Sequence, residues 1–304
     1  MTDQQPNATD DWTGGAISRR GLLAAGATGL ALPTLAGCVT ISREGSETTV
    51  TRSVRAEPLE TVTIANDVGD VIVRAGDGES VSIRAKKHAS GDVSLAELAV
   101  DASVAGEHLE IATRFPDTDV FGSGWIDLTV ELPPHVALGS VDAIAGDVTV
   151  VDVSGDPTVS TENGDVTVRR VDGDVQSDVT NGDVTVDHAD GLVTARTLHG
   201  DIEVREPRDL GDLVVTDGDL TADVRGVASD SVVETTDGDI LVRLHPDLDL
   251  HVEARTRNGE ISGLEVLDQV EIATETALEG AIGAASTTLE LRATNGDITI
   301  RRGT

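Results

Sequence analysis

Tyrosine is absent from this chain of 304 residues, and its aromatic hydrophobes come to two Trp and two Phe: Trp12, Phe115, Phe121 and Trp125. A core so poor in rings must be filled by Val, Ile, Leu and Ala, and β-branched side chains pack best on a pleated surface, so the composition favours strands. Cysteine occurs once, at Cys38, so no disulfide can form within the chain and stability must come from the core. Lysine is nearly missing too, with only Lys86 and Lys87. Twenty Arg cannot balance 35 Asp and 20 Glu, and the formal net charge is −33. Such a surface repels phosphate and anionic lipid, and the sequence shows no basic stripe to offset it. Nucleic acid is thereby excluded as a partner.

Asp-rich, Lys-poor composition resembles that of proteins from salt-loving archaea, where concentrated salt shortens the Debye length to about 3 Å at 1 M and screens self-repulsion. The N-terminus reads as an address. Arg19 and Arg20 form a positive region, and Gly21 to Leu35 an apolar stretch too short and too rich in Gly and Ala to span a membrane. Ser18-Arg19-Arg20-Gly21-Leu22-Leu23 resembles the twin-arginine motif, which implies export of the folded protein. Leu35-Ala36-Gly37-Cys38 resembles a lipobox, as in haloarchaeal lipoproteins. That resemblance implies cleavage before Cys38, lipid on its thiol, and a mature protein held on the outer face of the cytoplasmic membrane. Residues 1–37 are therefore expected to be a signal peptide, and 38–56, rich in Ser, Thr and charge, a flexible tether.

The remainder repeats. Asp147, Asp165, Asp183, Asp201 and Asp219 each follow Gly, precede Val, Ile or Leu, and recur every 18 residues; Asp239, Glu260 and Asp297 continue the series at wider spacing. Period-two alternation follows each Gly-Asp pair, as in Val148/Val150, Val166/Val168 and Ile202/Val204. Short alternating runs bounded by Asn-Gly or Asp-Gly are strands with one buried face. One such unit cannot bury its own apolar face, so the coils must stack, with Val148, Val166, Val184, Ile202, Leu220 and Ile240 as an internal ladder. The predicted fold is all-β: a β-solenoid of about 18 residues per coil over 134–304, preceded by a β-rich section or cap over 57–133. A sandwich of antiparallel hairpins would explain the alternation but not the constant step. Arg301 and Arg302, close to the C-terminus, are expected on the open edge of the last coil.

The N-G-D-[VI]-x-[VI] units after an alternating N-terminal section resemble a family of adhesin-like β-strand-repeat domains of unknown function, over residues 58–302. The resemblance implies a surface-exposed β-solenoid and carries over no catalytic residue.

Stacking would bring Asp147, Asp165, Asp183, Asp201, Asp219 and Asp239 into a row about 4.8 Å apart, where neighbouring charges repel by about 0.9 kcal/mol in water. Two roles fit this row: corner residues accepting backbone N–H bonds after an αL glycine, or a cation row for calcium. Calcium-binding β-rolls, however, separate Gly from Asp by one residue, whereas here the two are adjacent. The seven histidines show no recurrent metal spacing, and no nucleophile elbow or phosphate loop occurs. No catalytic residue, metal or cofactor is therefore expected, and His199, before Gly200-Asp201, reads as a solvated corner residue. The repeat is broken once, by the Gly-rich stretch 117–127, where Phe121 and Trp125 would either plug the solenoid end or form an interface. Outward positions where the repeats disagree, such as Arg169, Arg170 and Gln176, are where a target would be read. The expected function is non-catalytic: a lipid-anchored structural or adhesion-like envelope module that meets a surface polymer or an unknown envelope protein. The alternatives are a sensing or scaffolding partner of a membrane protein and, less favoured, a calcium-binding repeat protein or a carbohydrate-active β-helix enzyme.

Overall fold

Strand follows strand throughout the computed structural model, which describes residues 40–44, 46–91, 93–115 and 122–303. Arg19, Arg20, Cys38 and Phe121 lie outside the described residues. The N-terminal strands are β1 (Thr40–Glu44), β2 (Glu47–Arg55), β3 (Thr61–Val68), β4 (Val71–Ala75), β5 (Ser80–Gly91), β6 (Ala99–Ala105), β7 (His108–Arg114) and β8 (Gly122–Leu132). The regular array comprises β9 (Ala137–Ala145), β10 (Val148–Ser154), β11 (Thr158–Asn163), β12 (Val166–Asp172), β13 (Val175–Asn181), β14 (Val184–His199), β15 (Ile202–Asp217), β16 (Leu220–Val224), β17 (Ser231–Asp237) and β18 (Ile240–Leu244). Then come β19 (Leu250–Asn258), β20 (Ile261–Ser262), β21 (Gln269–Ala273), β22 (Ala277–Ile282), β23 (Thr287–Asn295) and β24 (Ile298–Arg302).

These strands build two ladders that are parallel through their middle. The first joins β8, β4, β10, β12, β14, β15, β16, β18, β24 and β20; the second joins β7, β3, β9, β11, β13, β14, β15, β17, β23 and β19. Strands β14 and β15 turn a corner and belong to both. This is a β-solenoid, and its 18-residue step appears directly as register: Val148 opposes Val166, Val166 opposes Val184, and Val184 opposes Ile202. All six residues of the expected inner ladder are at most 1% exposed. Inward positions of both ladders fill one core running from Val54 to Ile300, so sections 57–133 and 134–304 share their apolar interior.

Coil order departs from chain order at both ends. The β3–β4 coil lies between β9–β10 and the later β7–β8 coil. Likewise β23–β24, last in sequence, lies between β17–β18 and β19–β20. The coil of Arg301 and Arg302 is therefore not the last of the stack, since β20 pairs with Ile298 and Thr299 of β24; the two arginines themselves are paired on one side only, by Arg243 and Leu244 of β18. Three of the four ladder ends are covered by antiparallel strands, β5, β2 and β1 beyond β8, β6 beyond β7, and β22 and β21 beyond β19. Residues 47–55 thus correct the expectation of a tether. They pair with β5 over nine positions and bury Val54, because Thr and Val suit a strand as well as a linker.

Each coil turns at a Gly that has no room for a side chain. At Gly182 (φ +149°) a Cβ would stand 2.1 Å from the Gly164 carbonyl oxygen, and at Gly164 the Gly146 oxygen would be 2.2 Å away. A second corner is turned by non-glycine residues in the αL region, Asp152, Arg170, His188 and Glu206, at φ 48–60° and again 18 apart. Gly182→Ala is expected to cost at least about 3 kcal/mol, since backbone strain and a backbone clash combine. Gly106→Ala, at φ +65° with nothing within 4 Å of its Cβ, should cost about 1–2 kcal/mol. Denaturant midpoints in one salt concentration check this, and equal losses would show that close stacking is not the constraint.

Candidate functional site

The corner between the two ladders breaks the backbone hydrogen-bond pattern at one residue per coil. Gly146 N–H donates to Asn163 O and Val148 N–H to Asp165 O. The N–H of Asp165, between them in register, donates instead to Oδ1 of Asp147 at 2.9 Å. The same bond joins Asp183 to Asp165 at 2.9 Å, and Asp201 to Asp183, Asp219 to Asp201 and Asp239 to Asp219 at 2.8 Å each. Asp297 and Glu260, which continue the series in the sequence, join it through Asp297 N–H on Asp239 and Glu260 N–H on Asp297, in spatial rather than chain order. At the other end Asp147 N–H reaches Asp70, and Asp70 N–H reaches Asp127.

Each carboxylate in this row therefore does a peptide carbonyl's work, and the N–H it accepts offsets part of its charge. Of the two roles open to the aspartates, the geometry supports the corner acceptor. The preceding glycines are not αL as expected: φ runs from +136° to +151° between Gly146 and Gly238, far from the αL value near +57°. A shorter row follows the Gly155 corner, where Asp174 N–H donates to Asp156 and Leu192 N–H to Asp174. It ends there because Leu192 has no acceptor to pass on. Inside, the Gly182, Gly218 and Gly296 carbonyls accept from the buried hydroxyls of Thr197, Thr235 and Thr256 at 2.9–3.1 Å. His199 is an exposed corner residue, with Nδ1 2.8 Å from Asp217.

Trp125 does not plug the solenoid. It lies on β8, opposite His88 of β5, and is 37% exposed. Its ring stacks on the His88 imidazole with centroids 4.6 Å apart and an 8° interplanar angle. The buried His88 is held from both sides, Nε2 3.1 Å from Asp127 and Nδ1 3.2 Å from Glu47. Pairing β5 with β8 and β2 assembles this group from residues 47, 88, 125 and 127, whose separation in sequence hid it.

Sequence order also hid the arrangement of the arginines. Register on the outer face of the first ladder aligns Glu131, Arg74, Val151, Arg169, Asp187 and Arg205, and further along Asp223, Arg243 and Arg301. The arginines thus line up, but interleaved with acids, so the row is mixed in charge rather than basic. Opposite charges on adjacent strands stabilise pairing, as in Arg74–Glu131 at 2.6 Å and Arg243–Asp223 at 3.2 Å. Next to this row Arg170 grips Asp152 with two bonds, of 2.5 and 2.9 Å. Those hydrogen bonds hold the Asp152 carboxyl below the ordinary carboxylate range. Gln176, the third outward position singled out, donates to Asp178 at 3.0 Å. Near the C-terminal end of the row a surface groove of about 410 Å³ is lined by Arg205, Arg225, Arg243, His245 and Arg302, together with acidic neighbours. Arg225 reaches Glu206 at 3.3 Å, whereas Arg302 has no ion pair among the described residues.

Residues 37–301 match the family model described as Toastrack DUF4097. No curated protein matches the chain. Solved structures include a candidate cell adhesion protein from Clostridium sporogenes, 10% identical, with the match covering 84% of this chain and all of that one at a TM-score of 0.28. Another is a candidate adhesin from Bacteroides fragilis, 12% identical, covering 84% and 97% at a TM-score of 0.44.

Asp183→Asn keeps an oxygen acceptor and removes one charge from the row. It should melt at or above the wild-type temperature in low salt, the difference shrinking as salt rises. Asp183→Ala, which strips the acceptor from Asp201 N–H, should melt lower at every salt concentration. Calcium should shift the melting of none of them. For the stacked pair, a double-mutant cycle of Trp125→Ala and His88→Ala in denaturant is expected to give a coupling energy of about 0.5–1.5 kcal/mol, with Trp125→Ala alone lowering the melting temperature.

Proposed function

The chain belongs to the Toastrack DUF4097 family, and from that premise we propose that it is a non-catalytic, adhesion-like module of the cell envelope, exported and held by lipid on Cys38. The observation that carries this reading is the outward charge ladder. Both ladders of the solenoid turn alternate residues outward at fixed spacing, and the first of them arrays guanidinium and carboxylate groups along one face. A surface of this kind meets a repeating partner at several positions at once, so weak contacts add to a useful affinity. Arg302, at the groove and without an ion pair among the described residues, is the natural first contact for a carboxylate or sulfate on a surface polymer. Twin arginines Arg19 and Arg20 would route the folded domain out of the cell, and two lipid chains would keep it there.

A scaffolding role beside a membrane protein is the second reading. It is favoured by β21, the outermost strand beyond β22, all five of whose residues are exposed, Val270 and Ile272 among them at 45% and 42%. Strands with an unpaired edge add partner strands readily.

Cys38→Ser is expected to release the protein into the medium or to leave its precursor uncleaved, as read by fractionation and intact mass; unchanged membrane retention of a cleaved protein would remove the lipid anchor from the proposal. Crosslinking in intact cells from a photoreactive group at position 225, followed by mass spectrometry, separates the two roles. Attachment to surface polymer is expected for adhesion, whereas recovery of one membrane protein would transfer support to scaffolding.

A further inference from the structure

We propose that His251, Glu253 and Glu279 form a site for a first-row divalent cation of the zinc type, which ties the C-terminal cover strand β22 to the last coil. Alternation on β19 sends Leu250, Val252 and Ala254 inward, at 1%, 0% and 0% exposure, and so turns His251 and Glu253 outward side by side. Antiparallel β22 places Glu279 directly opposite Glu253, with His251 on the diagonal. The donor atoms of all three lie within 4.8 Å of one another, and the three side chains are half-buried.

Register adds a charge problem that the surrounding arginines solve only in part. Glu253 faces Glu279 on β22 and Glu290 on β23, so three glutamates stand in one row across three strands. Like charges directly opposite destabilise a sheet. Glu290 is neutralised by Arg292, bound through both oxygens, and that bonding raises the Arg292 pKa. Oε2 of Glu253 lies 3.4 Å from Arg255. That leaves Oε1 of Glu253 and all of Glu279, which has no Lys or Arg partner among the described residues, both turned to Nε2 of His251.

Those last contacts are not hydrogen bonds. Nε2 stands 3.6 Å from Glu253 Oε1 and 3.7 Å from Glu279 Oε1, outside hydrogen-bonding range. Ligands of a tetrahedral ion with bonds near 2.0–2.1 Å sit about 3.3–3.4 Å apart. Closing the two edges from Nε2 by a few tenths of an ångström, and bringing the two carboxylate oxygens, now within 4.8 Å, to the same spacing, would put an ion at the centre of the three, with water as fourth ligand. One imidazole and two carboxylates suit zinc or cobalt, whereas calcium wants six to eight oxygens. Arg255, on the outer oxygen of Glu253, would fix the orientation of that ligand. The ion would supply the missing positive charge and clip β22, and with it β21, onto β19.

The test uses the full chain, freed of metal by chelator, in mildly alkaline buffer, where protons compete least with a metal for its ligands. Titration with cobalt should give saturable visible bands of a four-coordinate site at one equivalent, which zinc displaces. Zinc should raise the melting temperature, and calcium at the same concentration should not. Affinity should fall by more than about tenfold in His251→Ala and Glu279→Gln, and should persist in Glu290→Gln. Glu279→Gln also separates the proposal from a plain ion pair. Metal-free Glu279→Gln should melt no lower than wild type, since it removes like-charge repulsion; a clear loss would mean that Glu279 serves a charged His251 and would overturn the site. Absence of saturable cobalt or zinc binding, or binding undiminished in both variants, would overturn it equally.

Discussion

A single peptide N–H per coil, that of the residue after the corner glycine, organises this molecule. It donates to a carboxylate of the adjacent coil, at 2.8–2.9 Å from Asp165 through Asp239. A carboxylate can fill that place only if the preceding residue has no side chain, because the corner carbonyls stack too closely for a Cβ. Gly and Asp are thus one device in two residues. Fixing the corner fixes the 18-residue register, and register decides which side chains face the core and which line up outside.

The cost of the device is a row of like charges, about 4.8 Å apart. Peptide N–H groups and salt offset it on the corner, and arginines offset acids on the outer face, so the strongly acidic chain is locally better balanced than its net charge suggests. Where the balance fails, at Glu253 and Glu279, a histidine stands in the place of a cation. Covered ends complete the structure. Transposition of the first and last coils lets antiparallel strands cover the β8, β7 and β19 ends of the ladders, the usual remedy for edges that would otherwise pair with another chain.

Much of the fold was legible because a solenoid is local. Val148, Val166 and Val184 fall into register by repetition alone, and the same spacing lined up the aspartates while leaving their role open between corner acceptor and cation ligand. The tether reading of 47–55 failed because Thr-rich composition is ambiguous between linker and edge strand until β5 offers hydrogen bonds. The coil of Arg301 and Arg302 was misplaced at the end of the stack because chain order stands in for spatial order only while coils stack in sequence, which they cease to do after β18. The stacked His88 and Trp125, and the His251, Glu253 and Glu279 group, unite residues from different strands through antiparallel register, which no repeat announces.

The sequence by itself determined the strand period, the coil length and the inner ladder, since each depends on neighbours one or two residues away or one constant step along the chain. Tertiary structure alone decided which coils end the stack, how the arginines align, and which charges are left without a partner. Those outcomes depend on pairings between segments tens of residues apart, where several registers satisfy the same alternation and only the closed core selects one.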